Sequence, residues 1–380
     1  MPSNTQIPQA SIDKNDIYKD AARSAQIAGL RYVSDDQPGI RRQRWGKGFS
    51  YIDIDGSRIK DRKRKESFKA LAIPPSWEDV WICCDKNGHL RATGRDLKRR
   101  KQYRYHPDWI KLRKQIKFDR LIPFALALPK LRDKIHRTVA QTAEAIENGQ
   151  KRKDVLDRET VIATVVELLD DSFMRVGNQR YTQANKSHGL TTLKDKHVDI
   201  SSGRIELEFV GKSGVERDVT VKNKQLAEIV KACEEIPGQT LFQYFDESGH
   251  RQSIESGDVN DYLHEVLGDR FTAKDFRTWG GTVTAAQTLH DLAVEQPTED
   301  EKTLDHNIVE TVKIAAQRLG NRPATCRKYY IHPSVLRAYR AGQIEDAIAQ
   351  NPQTDPQLLK FLDSAELNTL SILQCKSPSV

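Results

Sequence analysis

Between Pro123 and Leu169 the chain carries two successive apolar stripes at helical spacing, and such stripes require a buried helical core. The first comprises Phe124, Leu126, Leu128, Leu131, Ile135, Val139 and Ala143; the second comprises Val155, Val161, Ile162, Val165, Val166, Leu168 and Leu169. Pro123 is expected to open the first helix, Gly149 with Lys151-Arg152-Lys153 to end it, and Asp154 to cap the second. On the N-terminal side, Phe49 to Ile54 alternates as a strand, Asp55-Gly56 supplies a hairpin turn and Arg58-Ile59 begins a return strand. Asp79 to Cys84 reads as another strand, closed by a turn at Asp85 to Gly88. On the C-terminal side, Val198 to Ile200, Ile205 to Val210 and Val215 to Val221 read as strands, with Gly211 to Gly214 turning the last pair. The chain then reads mainly helical to about residue 350, and the segment holding Pro352, Pro356 and Pro378 as a short helix and a tail. These elements predict an α+β protein. A polar leader over 1–35 precedes a small β-rich domain over 36–118; a mostly helical domain with a small β-sheet covers 119–345, and a short helix and tail cover 346–380. A length of 380 residues fits that division.

The net charge of +8 is unevenly spread. Residues 91–120 hold twelve Lys or Arg against three Asp, which leaves the rest of the chain close to neutral. Aromatics (Tyr103, Tyr105, Trp109, Phe118) interleave with these cations, and Lys98 to Lys101 are four in succession. Their mutual repulsion is costly unless an anion lies nearby, so the stretch points to a polyanion, with Gln102 able to read a base edge. Five scattered cysteines give neither a disulfide framework nor a zinc pattern, and the histidines show no metal-ligand spacing. No run is apolar enough to span a bilayer, and the N-terminus lacks the charged-then-apolar pattern of a secretory signal. A cytoplasmic protein is expected. Gly211-Lys212-Ser213 resembles the end of a phosphate-binding loop, but Glu206 stands where that loop needs glycine, so no ATP site is expected.

Near the C-terminus a tyrosine follows a basic run, Arg327-Lys328-Tyr329-Tyr330, and arginines stand in distant segments. A phenol with an ordinary pKa of about 10 attacks phosphorus only where cations favour phenolate character and neutralise the phosphoryl oxygens. The departing sugar hydroxyl needs a proton from a positioned acid. Two arginines, a lysine, a further donor and a tyrosine suffice without a metal. The candidates are Arg175 where the second apolar helix ends, Lys212 at a predicted hairpin tip, Arg277 in Lys274-Asp275-Phe276-Arg277, Asn321 after Gly320, and Tyr330. Each alone has an ordinary structural reading: a helix-end cap, a solvated lysine, a turn asparagine, a core tyrosine.

Their order in the chain carries more than any one of them. Met174-Arg175-Val176-Gly177 with Tyr181, Thr192 to His197, Phe209-Val210-Gly211-Lys212, Lys274 to Thr278 and the Tyr330 segment together resemble the type IB DNA topoisomerases of the compact bacterial and poxvirus kind. Gly88 to Asp96, leading into Arg100 to His106, resembles the same family, so the likeness runs from about residue 30 to 340. The resemblance implies a two-lobed enzyme that clamps duplex DNA. Tyr330 would be the nucleophile that becomes linked to a 3′ phosphate, Arg175 and Arg277 would clamp that phosphate, Lys212 would protonate the 5′ hydroxyl and Asn321 would donate to a phosphoryl oxygen. Many relatives carry histidine at the position of Asn321; an amide donates but cannot titrate. DNA contact is expected from Lys98, Arg99, Arg100, Lys101, Gln102, Tyr103, Tyr105, Tyr181 and Lys274. The implied enzyme relaxes supercoiled DNA as a monomer, without ATP, metal or other cofactor, and is nucleoid-associated in a bacterium. The alternatives are a tyrosine recombinase, whose usual His-x-x-Arg is here Lys274 to Arg277, or a non-catalytic DNA-binding protein of the same fold.

Overall fold

The computed structural model describes residues 20–268 and 271–375, so most of the expected leader, residues 1–19, lies outside the described residues. The chain divides between Arg120 and Leu121 into two compact units.

The first unit begins with α1 (Ala21–Ile27), capped by the Asp20 carboxylate on the Arg23 N–H. It is built on five strands, β1 (Ile40–Trp45), β2 (Gly48–Ile52), β3 (Glu78–Ile82), β4 (Leu90–Arg95) and β5 (Lys101–Tyr105), in the antiparallel order β2-β1-β3-β4-β5. Ile40, Tyr51, Val80, Ile82 and Ala92 form the core of one face with Phe68 of α2 (Arg62–Ala70). The expected return strand at Arg58-Ile59 reduces to a single bridge, Arg58 to Ile52, because Asp61 then caps α2. The partner of β2 is β1, across the Gly46-Lys47 turn. That strand shows no apolar alternation because Arg42 is consumed internally: its guanidinium covers the Phe49 ring at 4.2 Å and donates to the carbonyls of Ile73, Pro74 and Trp77 at 2.8–3.0 Å. The basic stretch itself forms the β4–β5 hairpin and α3 (Pro107–Asp119), which His106 caps.

The second unit is mostly helical. Its core helices are α4 (Leu121–Glu147), with Pro123 in the first turn where a missing N–H costs nothing, and α6 (Arg158–Ser172), buried along nearly its whole length. Asp157, rather than Asp154, caps α6 by accepting from the Thr160 N–H at 2.8 Å; Asp154 lies within the one-turn α5 (Arg152–Val155). After α7 (Gln179–Asn185) the three expected strands form an antiparallel sheet, β6 (Val198–Ser201), β7 (Arg204–Val210) and β8 (Glu216–Lys222). Then come α8 (Lys224–Glu234), the small hairpin β9 (Gln243–Phe245) and β10 (Arg251–Ser253), α9 (Ser256–Leu267), the long α10 (Ala273–Glu295), α11 (Glu301–Leu319), α12 (Pro323–Tyr329), α13 (Pro333–Arg340) and α14 (Ile344–Gln350).

The segment expected as a short helix and tail folds into α15 (Pro356–Phe361) and α16 (Ser364–Gln374), and α16 is part of the core. Three of its five buried residues, Glu366, Thr369 and Ser371, are polar, so it carries no apolar stripe. Glu366 is 5 % exposed and bonds the Arg132 guanidinium of α4 at 2.6 and 2.8 Å. Arg132 also forks onto Asp170 of α6, and Glu366 accepts from the indole N–H of Trp279 in α10. Burial would raise the Glu366 carboxyl, but the bonds from Arg132 hold it below its ordinary value. One guanidinium thus ties α4, α6 and α16 together, and the shared carboxylate extends the tie to α10.

Candidate active site

Four of the five residues singled out for chemistry meet where two helices end. α6 terminates at Phe173 in the left-handed region (φ 52°), and α11 terminates at Gly320 (φ 59°), a backbone that glycine adopts without strain. Carbonyl groups at both ends lack helical partners, and Arg277 supplies them. One of its terminal nitrogens donates to the Phe173 carbonyl and the other to the Leu319 carbonyl at 2.8 Å. The negative ends of two helix dipoles therefore face a guanidinium that is only 4 % exposed. Burial, and then repulsion from Arg175, still lower its pKa to about 10, while Tyr330 pulls it back up. The group remains charged at neutral pH. With both terminal nitrogens engaged, Nε is buried without a hydrogen-bond partner.

Arg175 leaves the end of α6 and bonds Asn321 Oδ1 at 2.5 Å, with longer contacts to the Gly320 carbonyl at 3.4 and 3.5 Å. A cation beside Oδ1 fixes which way the amide faces, since the reverse orientation would set NH2 against a guanidinium. Asn321 Nδ2 is consequently left buried with no partner in the structure. Burial depresses the Arg175 pKa, and attraction to Tyr330 opposes the change.

Tyr330 caps α12 through its N–H to the Cys326 carbonyl, and the Arg277 guanidinium carbon lies 5.4 Å from its ring centroid. Its main chain is docked on α10: Thr282 Oγ1, whose proton goes to the Thr278 carbonyl at 2.7 Å, accepts from the His332 N–H at 3.1 Å and lies 3.3 Å from the Tyr330 carbonyl oxygen. A Cβ at Gly281 would lie 2.7 Å from the Tyr330 carbonyl oxygen, so only glycine permits this approach. Tyr329, by contrast, is 43 % exposed, with Lys328 Nζ over its ring. The geometry separates the two neighbouring tyrosines.

Lys212 occupies the exposed turn between β7 and β8, as its sequence position suggested. Among the described residues, no hydrogen bond or ion pair holds it in the Arg175, Arg277, Asn321 and Tyr330 cluster. Its hairpin reaches that cluster through Arg217 of β8, which donates to the carbonyls of Gln317 and Arg318. Arg217 and Thr282 escaped the sequence reading. The signal for Arg217 was its register opposite Phe209; Thr282 gave none, since one hydroxyl in a long helix looks like any other.

Residues 110–357, more than half of the chain, match a family model described as the catalytic core of eukaryotic DNA topoisomerase I, and residues 48–96 match the N-terminal domain of bacterial DNA topoisomerase IB. The chain is 33 % identical over 338 residues to DNA topoisomerase 1B of Acanthamoeba polyphaga mimivirus, covering 87 % of this chain and 96 % of that protein. It is 24 % identical over 340 residues to DNA topoisomerase I of Monkeypox virus, covering 88 % and 92 %. The chain belongs to the type IB DNA topoisomerase family. The α+β expectation holds, with a β-sheet unit before a mostly helical one.

In this topoisomerase the residues expected to touch DNA fall in three places. Lys98, Arg99 and Arg100 form the β4–β5 turn, and Lys101, Gln102, Tyr103 and Tyr105 lie on β5, where Lys101, Tyr103 and Tyr105 share one exposed face with the two rings stacked at 5.9 Å. Tyr181 stands on α7, 59 % exposed, and Lys274 is exposed in the first turn of α10. Three of the four successive cations already have carboxylate partners, contrary to the expectation that they need an outside anion. Arg99 pairs with Glu78 and Asp79, Arg100 with Asp96, and Lys101 with Asp35, so carboxylates of the protein already supply the neutralising anions. These are surface pairs screened by solvent, weak enough to exchange for phosphates. Among the described residues, no helix is long and apolar enough to cross a membrane, and no group of three or more His, Cys, Asp or Glu is arranged to hold a metal ion.

Proposed function

We propose that this chain relaxes supercoiled duplex DNA by transient cleavage of one strand, with Tyr330 as the nucleophile. The observation that carries this reading is the convergence of Arg277, Arg175, Asn321 and Tyr330, with two buried donors, Arg277 Nε and Asn321 Nδ2, left unpartnered. Buried donors without acceptors are costly unless a ligand uses them, and a phosphoryl group offers the acceptors. Arg277 and Arg175 neutralise the charge that grows on the non-bridging oxygens, and Asn321 adds a neutral hydrogen bond. Tyr330 gives up its phenolic proton to water as it attacks phosphorus, the P–O bond to the 5′ oxygen breaks, and Lys212 gives that oxygen its proton. The free strand end rotates, and the same 5′ hydroxyl returns to displace the phenol. The phosphotyrosyl ester keeps the energy of the broken bond, so the cycle needs no nucleotide. The enzyme acts as a monomer in the compartment that holds the genome, and the exposed cations and rings of β5 with their turn, Tyr181 and Lys274 bind the duplex.

The test uses supercoiled plasmid and a denaturing quench. Wild-type protein is expected to relax the plasmid and to be trapped covalently through a peptide containing Tyr330. Tyr330→Phe should lose both properties while still binding duplex. Relaxation by that variant, or trapping through Tyr329, would refute the assignment.

A further inference from the structure

Arg217 is a third guanidinium beside the site, and both of its terminal nitrogens are engaged by the protein's own backbone. Nη1 donates to the Gln317 carbonyl at 3.1 Å and Nη2 to the Arg318 carbonyl at 3.0 Å, both in the last turn of α11. The same turn leads directly into Gly320 and Asn321. A Cβ at Gly320 would lie 2.4 Å from Arg217 Nη1, so the guanidinium lies flat against that residue. At its other end the side chain supports the hairpin turn: a Cβ at Gly211 would lie 3.1 Å from Arg217 Cγ. Gly211 is the residue before Lys212, and its N–H closes the turn onto the Val215 carbonyl at 2.8 Å. Arg217 is therefore a strut with its stem beneath the turn that carries Lys212 and its head on the turn that carries Asn321.

This placement has a cost that needs a reason. Burial, and then the charge of Arg175, lower the Arg217 pKa, and Arg217 in turn depresses Arg277. A neutral side chain could cap two carbonyls without adding a third positive charge to a crowded site. A long, planar side chain with two divergent donors, however, both spans the gap between strand and helix and fixes the angle between them. A flexible exposed lysine on a two-stranded turn gains little as an acid unless that turn is fixed relative to the leaving oxygen.

We infer that Arg217 is a positioning residue for proton delivery, holding the Lys212 turn in register with the end of α11 that presents Asn321. The inference rests on the reading of Lys212 as the general acid, and the experiment separates the two. Single-turnover cleavage is measured on two duplexes, one with the ordinary 5′ oxygen at the scissile phosphate and one with sulfur in that bridging position. The sulfur leaves as a thiolate and needs no proton, so loss of acid delivery does not slow it. Arg217→Ala should cleave the oxygen substrate at least about tenfold more slowly than wild type, within the roughly 10²–10⁴-fold that a general acid supplies. It should cleave the sulfur substrate at close to the wild-type rate. Arg217→Lys, which keeps the stem and one donor, should recover part of the oxygen rate and guards against a misfolded alanine variant. Lys212→Ala serves as the reference and should show the same rescue by sulfur. If Lys212→Ala is rescued and Arg217→Ala is slowed equally on both substrates, Arg217 acts on the phosphate clamp or the fold, and the inference falls alone. If Arg217→Ala matches wild type on oxygen, it also falls. If Lys212→Ala is not rescued, the reading of Lys212 falls and takes this inference with it.

Discussion

At Asn321 one amide would decide what kind of help the proposed site gives to phosphorus. Its carbonyl oxygen is committed to Arg175, so its NH2 is the only part that can meet a phosphoryl oxygen, and that group is buried without a partner. Removing such a donor from a preorganised site costs roughly 10²-fold in the chemical step. Asn321→Ala is therefore expected to slow single-turnover cleavage by about that factor, with duplex affinity unchanged. An alanine variant that cleaves at the wild-type rate would remove Asn321 from the site. An imidazole can donate in the same place but titrates, with an ordinary pKa of about 6.5. Asn321→His should retain cleavage and add an inflection to the pH–rate profile that the wild type lacks.

The elements around the site show which parts of the molecule could be read from the chain. The apolar stripes of α4 and α6 were legible because burial on one or all faces leaves a periodic pattern, and the β6–β7–β8 sheet because its strands alternate around a glycine-rich turn. The cluster of Arg175, Arg277, Asn321 and Tyr330 was legible through residue order. What stayed hidden shares one cause: polar residues doing the work of apolar ones. β1 packs through an arginine, α16 docks through Glu366, and Arg217 spans a gap that no sequence pattern reveals. α6 itself carries the sharpest example. Its Asp170 is fully matched by the Arg132 fork, whereas Glu167 has one bond, from Asn223 at 2.9 Å, and a second oxygen with no partner. Burial, and then the charges of Asp171 and Asp170, push the Glu167 carboxyl up to about 7 from an ordinary 4.5. The folded state thus holds this proton more tightly than the unfolded chain does. Below the unfolded value both states are protonated and nothing is lost; between about 4.5 and 7 the unfolded chain releases the proton that the folded state still holds, so stability falls, and the loss is complete once the folded carboxyl ionises above 7. Glu167→Gln keeps the acceptor for Asn223 and removes the ionisation. It should be more stable than wild type by about 1–3 kcal/mol at pH 8 and show no comparable gain at pH 4. Thermal or urea unfolding at the two pH values checks this, and a gain of equal size at both would show that the charge is not the cause.

For the molecule as a whole, the excess of cations is concentrated in residues 91–120, and its availability to DNA depends on how many of those cations are already engaged. Binding a phosphate releases counterions from the duplex, and the salt dependence of affinity counts them at about 0.9 per phosphate neutralised. The count changes when the protein cation leaves a carboxylate to make the contact. Arg99 would abandon Glu78 and Asp79, and those carboxylates would take up cations from solution, cancelling part of the release. Lys98 sits in the same turn with its backbone N–H on Asp96, and no carboxylate pairs with its ammonium among the described residues. The two neighbours should therefore contribute differently. In a Tyr330→Phe background, which keeps binding separate from cleavage, Lys98→Ala should reduce the slope of log affinity against log salt by about 0.9. Arg99→Ala should reduce it by less, although it removes the same charge. Binding isotherms on one duplex across a salt series give both slopes. An unchanged slope for Lys98→Ala would take the β4–β5 turn off the DNA, and a larger change for Arg99→Ala would show that its carboxylate partners are not retained in solution.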